Sequence, residues 1–164
     1  MSSRVTDPAS AYRSKGLLID SNVLLLFFVG LHDRTRIEKF KRTSQFTIED
    51  FKLLVDLIQQ FKEVVTTPSI LTEVSNLLGQ LPDKLRYSFY QHFAYTLRDL
   101  HERYTPSGEL GDERGFTKFG LTDMAILQAA SGKYLVLTDD FRLAQYLEHQ
   151  DVDVINFNHL RTFN

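Results

Sequence analysis

The sequence predicts an α/β fold in three layers, in which helices flank a central, mostly parallel sheet of four to five strands. Short apolar runs such as Gly16–Ile19 and Tyr134–Leu137 have the length and composition of buried parallel strands. Longer segments with an apolar stripe at helical spacing separate these runs. From Thr122 onward, helix and strand patterns alternate strictly, which is typical of parallel sheets with right-handed crossovers.

The chain has 164 residues, and we assign residues 1–15 to an N-terminal lead-in and residues 16–164 to a single domain. It contains no cysteine, which excludes disulfides, thiolate zinc sites and cysteine nucleophiles. The net charge of −2 gives no overall basic surface of the kind that marks many nucleic-acid binders. The longest apolar run, Val23–Val29, is far shorter than the roughly 20 residues of a membrane-spanning helix. The first fifteen residues lack a signal-peptide core, so we expect a cytoplasmic protein with no membrane partner.

Asp20 lies between two apolar blocks, Gly16–Ile19 and Val23–Val29. The first block predicts a buried strand, and the second predicts a helix that packs back onto the sheet. Asp20 is therefore expected at the carboxyl end of a strand, where open α/β sheets bind their ligands. Because a charge between two apolar blocks is costly without a partner, we expect a cation there.

A basic connection and a long helix come next. The segment His32–Gln45 is the only strongly basic run, and it is either a solvated connection or a patch that contacts phosphate. Thr47–Lys62 is the clearest helix, because Thr47 and Asp50 have the spacing of a capping box. Its apolar residues form one stripe, so we assign this helix to the scaffold.

Glu73 lies in a predicted helix that begins at Pro68 and ends at Gly79, directly after a predicted second strand at Val64–Thr66. Its position is at the edge between the apolar face and the polar side of this helix. The carboxylate can therefore point along the protein rather than away from it.

A long aromatic helix is predicted over Leu85–Tyr104. Three aromatic residues fall outside its core stripe, namely Tyr87, Phe89 and Tyr95. They either form a surface for a homodimer or another partner, or pack against the segment His32–Gln45. The glycine-containing segment Thr105–Phe119 is predicted to be a loop.

The C-terminal third is predicted to alternate between helices and strands. These elements are a helix capped by Thr122 over Asp123–Ser131, a buried strand at Tyr134–Leu137, a helix from Asp139 or Asp140 to His149, and a strand at Val152–Phe157.

Carboxylates lie at element ends or core edges in four places, namely Asp20, Glu73, Asp123 and the pair Asp139–Asp140. Taken singly, Asp123 and Asp140 are explained by their position, because an acid in the first turn of a helix is favoured by about 0.3–1 kcal/mol. Taken together, three or four carboxylates at one edge of a sheet repel one another. A hard divalent cation relieves this repulsion, so we expect one or two Mg²⁺ or Mn²⁺ ions. Ions held in this way can hydrolyse phosphodiester bonds.

Four segments that contain these acids resemble the four acidic motifs of PIN-domain nucleases, in the same order and the same helix or strand context. They are LLIDSNVLL (Leu17–Leu25), PSILTEVSNLL (Pro68–Leu78), GLTDMAILQAA (Gly120–Ala130) and YLVLTDDFRLAQYL (Tyr134–Leu147). The resemblance extends from Gly16 to about Phe157. It implies a PIN-like nuclease domain, metal-dependent endoribonuclease activity on RNA, and a role as a VapC-type toxin that is paired with a small antitoxin protein.

The site residues that the resemblance implies are Asp20, Glu73 and Asp123 for the first three acids and Asp140 for the fourth, with Asp139 in reserve. They would be both catalytic residues and ligands of the metal ions. Thr138 matches the family's hydroxyl two residues before the fourth acid, and it would orient that carboxylate or a metal-bound water.

Two further polar residues are candidates for supporting roles. Asn22 either hydrogen-bonds within the acidic cluster or serves the turn after the first strand. Arg142 either contacts a substrate phosphate or is an ordinary surface arginine. The chain also departs from compact toxins of the family, because the segment between Asp20 and Glu73 and the loop before Asp123 are both longer.

Three other functions stay open at this point. A nuclease of this kind could act on DNA or on structured nucleic acid. A PIN-like fold could also serve as a non-catalytic binding or scaffold module. A phosphatase of the haloacid-dehalogenase type would need an acid two residues after its aspartate nucleophile, and that position holds Asn22.

Overall fold

The strands form one sheet in which every neighbouring pair is parallel. The computed structural model describes residues 7–162. In this range the strands are β1 (Leu17–Ile19), β2 (Val64–Thr66), β3 (His101–Glu102), β4 (Leu135–Thr138) and β5 (Val154–Asn156). Their order across the sheet is β3-β2-β1-β4-β5. The predicted parallel sheet is confirmed, and β1 is its middle strand.

The middle strand is buried on both faces. Leu18 of β1 pairs with Val65 of β2 and with Val136 of β4. All three residues of β1 are fully buried. Because helices cover both faces of a parallel sheet, its central strands are unbroken apolar runs rather than alternating ones. This is why Gly16–Ile19 could be identified as a strand from sequence.

Eight α-helices flank the sheet in the part of the chain that the structure describes. They are α1 (Ser21–His32), α2 (Ile48–Ile58), α3 (Pro68–Leu78), α4 (Asp83–Thr96), α5 (Ser107–Gly111), α6 (Phe116–Ala130), α7 (Phe141–His149) and α8 (Phe157–Arg161). Helix α1 contacts α2, α3 and α4, whereas α6 contacts α3, α5 and α7. The architecture is a three-layer α/β fold, as predicted.

Helix α1 lies inside the protein. Eight of its residues are buried, which is expected for a helix that is apolar on nearly all sides. Gly30 lets α2 come close, because a Cβ atom at this position would overlap the ring of Phe51. The contact between α1 and α2 therefore depends on the absence of a side chain at Gly30.

Helix α2 begins with the predicted capping box. The Thr47 hydroxyl accepts a hydrogen bond from the Asp50 amide at 3.1 Å, and the Asp50 carboxylate accepts one from the Thr47 amide at 2.8 Å. Arg161 of α8 joins this helix start, because its Nη2 lies 2.9 Å from Asp50 Oδ2 and 2.7 Å from the carbonyl oxygen of Gln45. Helix α8 is thus held against the start of α2.

The basic segment His32–Gln45 packs onto the core. Its buried residues are Ile37, Phe40 and Thr43. Three of its cations already have protein partners, since Arg34 lies over the ring of Phe51, Arg36 pairs with Asp33, and Arg42 donates to Gln80. These contacts favour a connecting role for the segment over a patch that contacts phosphate.

The prediction of a helix over Leu85–Tyr104 is wrong at the C-terminal end. Helix α4 ends at Thr96, and after a short 3-10 turn the chain forms β3 at the edge of the sheet. Tyr104, which the helical pattern assigns to the core, is 74% exposed. The sequence could not reveal β3, because His101 and Glu102 are polar and form no apolar run.

The three aromatic residues outside the core stripe differ in their burial. Phe89 is buried and packs edge-to-face on the ring of His32, with ring centroids 4.5 Å apart. The packing alternative therefore holds for Phe89. Tyr87 and Tyr95 are 71% and 69% exposed, so they stay available as a partner surface.

The predicted loop Thr105–Phe119 contains α5 and the first turn of α6. Helix α6 is interrupted at Gly120, whose φ of 82° lies in the region that favours glycine. Thr122 consequently lies inside α6 and does not cap it, which corrects the prediction. The helical pattern before Gly120 was hidden by the glycines of this segment.

The two ends of the chain also differ from expectation. Strand β5 is shorter than the predicted Val152–Phe157, because the side chain of Asn156 caps α8 by accepting from the Asn158 amide at 2.9 Å. In the predicted lead-in, residues 1–6 lie outside the described range, and Ser10–Tyr12 form a 3-10 turn. Among residues 7–162, no helix combines the length and the apolar character needed to cross a membrane.

We expect Gly30→Ala to lower the free energy of unfolding by about 1–3 kcal/mol, because the added methyl group would overpack the contact with Phe51. Gly108→Ala in α5 is the matched control, since a Cβ atom there meets no other atom within 4 Å. Urea unfolding followed by circular dichroism measures both variants. Equal stabilities for the two variants would contradict the predicted close contact.

Candidate functional site

The side of the sheet on which the chain adds new strands changes between β1 and β4. From β1 the chain first adds β2 and β3 on one side, and then adds β4 and β5 on the other. Such a topological switch point opens a crevice at the carboxyl ends of the two strands, where α/β proteins bind ligands. Asp20 follows β1 directly, and Asp139 follows β4 directly. The topology therefore brings these predicted acids to one edge.

Asp20 is buried, and each of its carboxylate oxygens accepts one hydrogen bond. Its Oδ1 accepts from the Ser21 amide at 2.7 Å, which caps α1, and its Oδ2 accepts from the Thr138 hydroxyl at 2.7 Å. Burial raises the pKa of Asp20 to about 6, although these two hydrogen bonds oppose the rise. The side chain is thus held in place between β1 and β4.

Glu73 points into the same crevice from α3. Its Oε2 accepts from the Ser21 hydroxyl at 2.6 Å, and its Oε1 accepts from the Thr122 hydroxyl at 2.5 Å. The carboxylate therefore joins the start of α1 to the middle of α6. Its negative charge contributes to the raised pKa of Asp20.

Asp123 of α6 has the most strongly raised pKa of the predicted ligands. The pKa of Asp123 is raised to about 7, chiefly by burial and then by the charges of Asp20, Asp140 and Glu73, in that order. No hydrogen bond from the described residues counteracts this rise. Asp123 is thus near enough to these three acids for their charges to disfavour its ionised form.

Asp140 caps α7. Its Oδ1 accepts from the amides of Arg142 and Leu143 at 2.8 and 3.1 Å. The amide of Asp140 donates to the Thr138 hydroxyl at 3.0 Å. Thr138 therefore orients the carboxylate of Asp20 and bonds to Asp140 only through the backbone amide. Of the two roles that the resemblance implies for Thr138, the one on the carboxylate of Asp140 is corrected, and the one on a metal-bound water stays a prediction.

Asp139 also faces the crevice, and its environment is unusual. Its Oδ2 accepts long hydrogen bonds from the amide groups of Gln45 and Asn22 at 3.4 and 3.5 Å. Its Oδ1 is buried and has no partner within the described residues. Burial raises the pKa of Asp139. Asn22 thus bonds within the acidic cluster, as one of its two alternatives predicted.

Sequence reasoning missed four residues that support the acids, namely Ser21, Gln45, Thr122 and Asn158. Asn158 of α8 donates to the backbone carbonyl of Asp139 at 3.0 Å. Ser21 and Thr122 adjoin predicted acids and could have been found as hydroxyl neighbours. Gln45 lies 94 residues from Asp139, so no local pattern could have paired them.

The donor set is right in kind for a hard cation, because it consists of carboxylate oxygens and includes the unpartnered Oδ1 of Asp139. As the side chains stand, however, no three or more His, Asp or Glu residues in the described range are arranged to hold a metal ion. Mg²⁺ is usually bound through one or two carboxylates together with water and substrate phosphates. Within the described residues the side chains therefore form no closed cage for a metal ion.

The chain was compared with known proteins. No protein-family model matches it, and no curated protein matches it. Membership in the PIN-domain family therefore stays a prediction from the four acidic motifs.

The raised pKa values predict that the acids destabilise the fold more as the pH rises. Between about pH 4 and pH 7 the folded state binds more protons at Asp20 and Asp123 than the unfolded chain does. The contribution of these groups to the free energy of unfolding is therefore full at low pH and is lost as the pH rises through 6 and 7.

In the absence of metal, the free energy of unfolding of Asp123→Asn should be about 1 kcal/mol higher than that of the parent protein at pH 8. The reason is that the asparagine side chain carries no negative charge for the neighbouring carboxylates to repel. The difference should shrink towards pH 5, where Asp123 is protonated in the folded parent. Urea unfolding in EDTA from pH 5 to pH 8 measures this, with the exposed Asp56→Asn on α2 as control. A difference that does not depend on pH would contradict the assignment.

Proposed function

We propose that this chain is a Mg²⁺- or Mn²⁺-dependent endoribonuclease that hydrolyses RNA phosphodiester bonds in the crevice at the carboxyl ends of β1 and β4. The observation that carries the proposal is the gathering of acids at the switch point: Ser21 bonds to both Asp20 and Glu73, and the buried Oδ1 of Asp139 has no partner among the described residues. Burial and neighbouring charges also raise the pKa of Asp20 and of Asp123. Carboxylates that repel one another favour the binding of a cation. The four acidic motifs supply the family resemblance.

The oxygens of Asp20, Glu73, Asp123 and Asp140, together with Asp139, would hold the cation. One or two such ions, when bound, lower the pKa of a water molecule and stabilise negative charge on phosphate oxygens. Because several ligand positions in an open site stay free, the substrate phosphate can share in the binding.

The hydroxyl groups around the acids give them fixed positions. Thr138 and the Ser21 amide hold the two oxygens of Asp20, and the hydroxyls of Ser21 and Thr122 hold those of Glu73. Carboxylates that are already fixed by surrounding hydrogen bonds bind cations more tightly. Burial and neighbouring charges raise the pKa of Asp123 to about 7, and cation binding would favour its ionised form.

RNA is the proposed substrate on the strength of the four motifs, and DNA or structured nucleic acid is the alternative. The non-catalytic scaffold is the other alternative. The phosphatase has the least support, because Asn22 replaces the second acid and its amide is engaged with Asp139.

We expect the purified protein to cleave a mixed RNA substrate with Mn²⁺ and to lose this activity in EDTA. Asp123→Asn should reduce the rate at least about 100-fold, because it removes a charged oxygen ligand from the metal environment. Gel electrophoresis of labelled RNA measures the rate, and labelled DNA and hairpin RNA in parallel lanes test the alternative substrates.

Asp56→Asn is the matched control, because Asp56 is an exposed acid on α2 outside the crevice. It should cleave RNA like the parent protein. A Mn²⁺ titration separates the remaining cases. Binding of Mn²⁺ without cleavage of any nucleic acid would overturn the nuclease assignment, and absence of both would favour the scaffold.

We also propose that α4 carries a partner surface, which an antitoxin or a second copy of the chain would cover. The support is the exposure of Tyr87 and Tyr95, which lie eight residues apart on α4 and are 71% and 69% exposed. Aromatic side chains of this kind are enriched in interface centres.

We expect the 19.0 kDa chain to form a dimer in light-scattering measurements when no antitoxin is present. A double variant with Tyr87→Ala and Tyr95→Ala should be monomeric and otherwise folded, because both side chains are exposed. A parent protein that is monomeric, active and stable without any partner would contradict this assignment.

A further inference from the structure

Two histidine rings lie side by side where α1 contacts α4. The ring of His32, the last residue of α1, and the ring of His92 in α4 have centroids 5.2 Å apart, with an angle of 36° between their planes. The two residues are far apart in the sequence, so no local motif reveals the pair. Both residues are only partly buried, so solvent and dissolved ions can reach the two rings.

The histidine pair is separate from the acidic crevice. Asp20 caps the first turn of α1, whereas His32 ends this helix. The 12 residues of α1 span about 18 Å, because an α-helix rises about 1.5 Å per residue. The histidine pair therefore lies at the opposite end of α1 from the crevice.

Contacts with α4 hold the ring of His32 in place. The buried ring of Phe89 packs edge-to-face on it. His32 Nε2 lies 3.2 Å from Ser88 Oγ, and the Ser88 hydroxyl donates its single proton to the carbonyl oxygen of Leu85 at 2.9 Å. Ser88 Oγ therefore accepts a hydrogen bond from His32 Nε2. The neutral His32 ring then has its free lone pair on Nδ1.

The ring of His92 also has a lone pair available. The backbone carbonyl of His92 accepts from the Thr96 hydroxyl at 2.9 Å, but its ring has no hydrogen-bond partner among residues 7–162. Burial, and then the charge of His32, lowers the pKa of His92. The His92 ring is therefore mainly neutral at pH 7, and a histidine must be neutral to bind a metal ion.

We propose that His32 and His92 together bind a Zn²⁺ ion. Imidazole nitrogens are good ligands for Zn²⁺, whereas Mg²⁺ takes oxygen ligands. Two imidazoles that share one tetrahedral Zn²⁺ ion, with Zn–N distances of about 2 Å, have ring centres about 5 Å apart. The observed 5.2 Å agrees with this spacing. The hydrogen bond from His32 to Ser88 is of the kind that orients metal-binding histidines.

Water molecules complete the coordination of this ion. Among the described residues, no third histidine or carboxylate is arranged with the pair to hold a metal ion. The site is therefore open, and it ties the end of α1 to α4. Because only the folded chain brings the two rings together, Zn²⁺ binding stabilises the folded state. The proposal does not depend on nuclease activity, since no acid of the crevice takes part in it.

The test is isothermal titration calorimetry of the purified full chain with Zn²⁺, in excess Mg²⁺ that competes for the carboxylates of the crevice. The parent protein should bind Zn²⁺ under these conditions. His92→Gln should weaken this binding at least about tenfold, because even residues that only support a metal ligand contribute that much. His149→Gln is the matched control, since His149 is an exposed histidine on α7, and it should bind Zn²⁺ like the parent protein.

Thermal unfolding with and without Zn²⁺ is the second measurement. Zn²⁺ should raise the Tm of the parent protein and of His149→Gln, and it should raise the Tm of His92→Gln much less. Circular dichroism before Zn²⁺ is added shows whether each variant is folded. His32→Gln removes the other ligand and should lose the same two responses, so the site can be tested from either helix.

The outcomes decide the proposal. Loss of Zn²⁺ binding and of the Tm increase in a folded His92→Gln or His32→Gln variant, with His149→Gln unaffected, supports the site. Zn²⁺ binding that survives both substitutions would place the ion elsewhere and overturn the proposal. A parent protein that binds no Zn²⁺ in excess Mg²⁺ would overturn it as well.

Discussion

The hydrogen bond from the Thr138 hydroxyl to the buried carboxylate of Asp20 joins β4 to the end of β1 at the switch point of the sheet. A buried carboxylate is tolerated only where donors satisfy it, and Asp20 uses both of its oxygens, one for this bond and one for capping α1. The Asp20 carboxylate therefore lies at the end of β1, caps the start of α1 and links β1 to β4 where these two strands border the crevice. Glu73 is placed beside this junction, because α3 contacts both α1 and α6 and the Glu73 carboxylate bonds to a hydroxyl on each of them.

Gathering carboxylates at this edge costs stability, since burial and like charge disfavour their ionised forms. The protein meets part of this cost with hydroxyl and amide donors: Ser21 and Thr122 serve Glu73, while Gln45 and Asn22 serve Asp139. Asp123 has no such donor. The cost is thus only partly offset within the protein, which is the pattern expected where side chains are arranged for a ligand and not for stability alone.

Features that depend on neighbours in sequence could be predicted. The apolar strands β1 and β4, the capping box at Thr47 and the start of α3 at Pro68 all carry local signals, and the acids at the strand ends follow from them. Features that depend on tertiary contacts could not. Strand β3 consists of two polar residues that are strand only because β2 offers an edge. Gln45 contacts Asp139 only because the long connection between α1 and α2 folds back towards the sheet. Thr122 was predicted to cap a helix, but Gly120 interrupts α6 two residues earlier, and the Thr122 hydroxyl bonds to Glu73 instead.

Arg161 of α8 helps to position the residues that support Asp139. Its guanidinium group binds the carbonyl oxygen of Gln45, the carboxylate of Asp50 and the side chain of Asn158, and it lies 5.0 Å from the centre of the Phe46 ring. Gln45 and Asn158 in turn both bond to Asp139. Hydrogen bonds therefore connect α8 to Asp139 at one wall of the crevice. A substitution of Arg161 would therefore disturb the crevice as directly as a substitution within it.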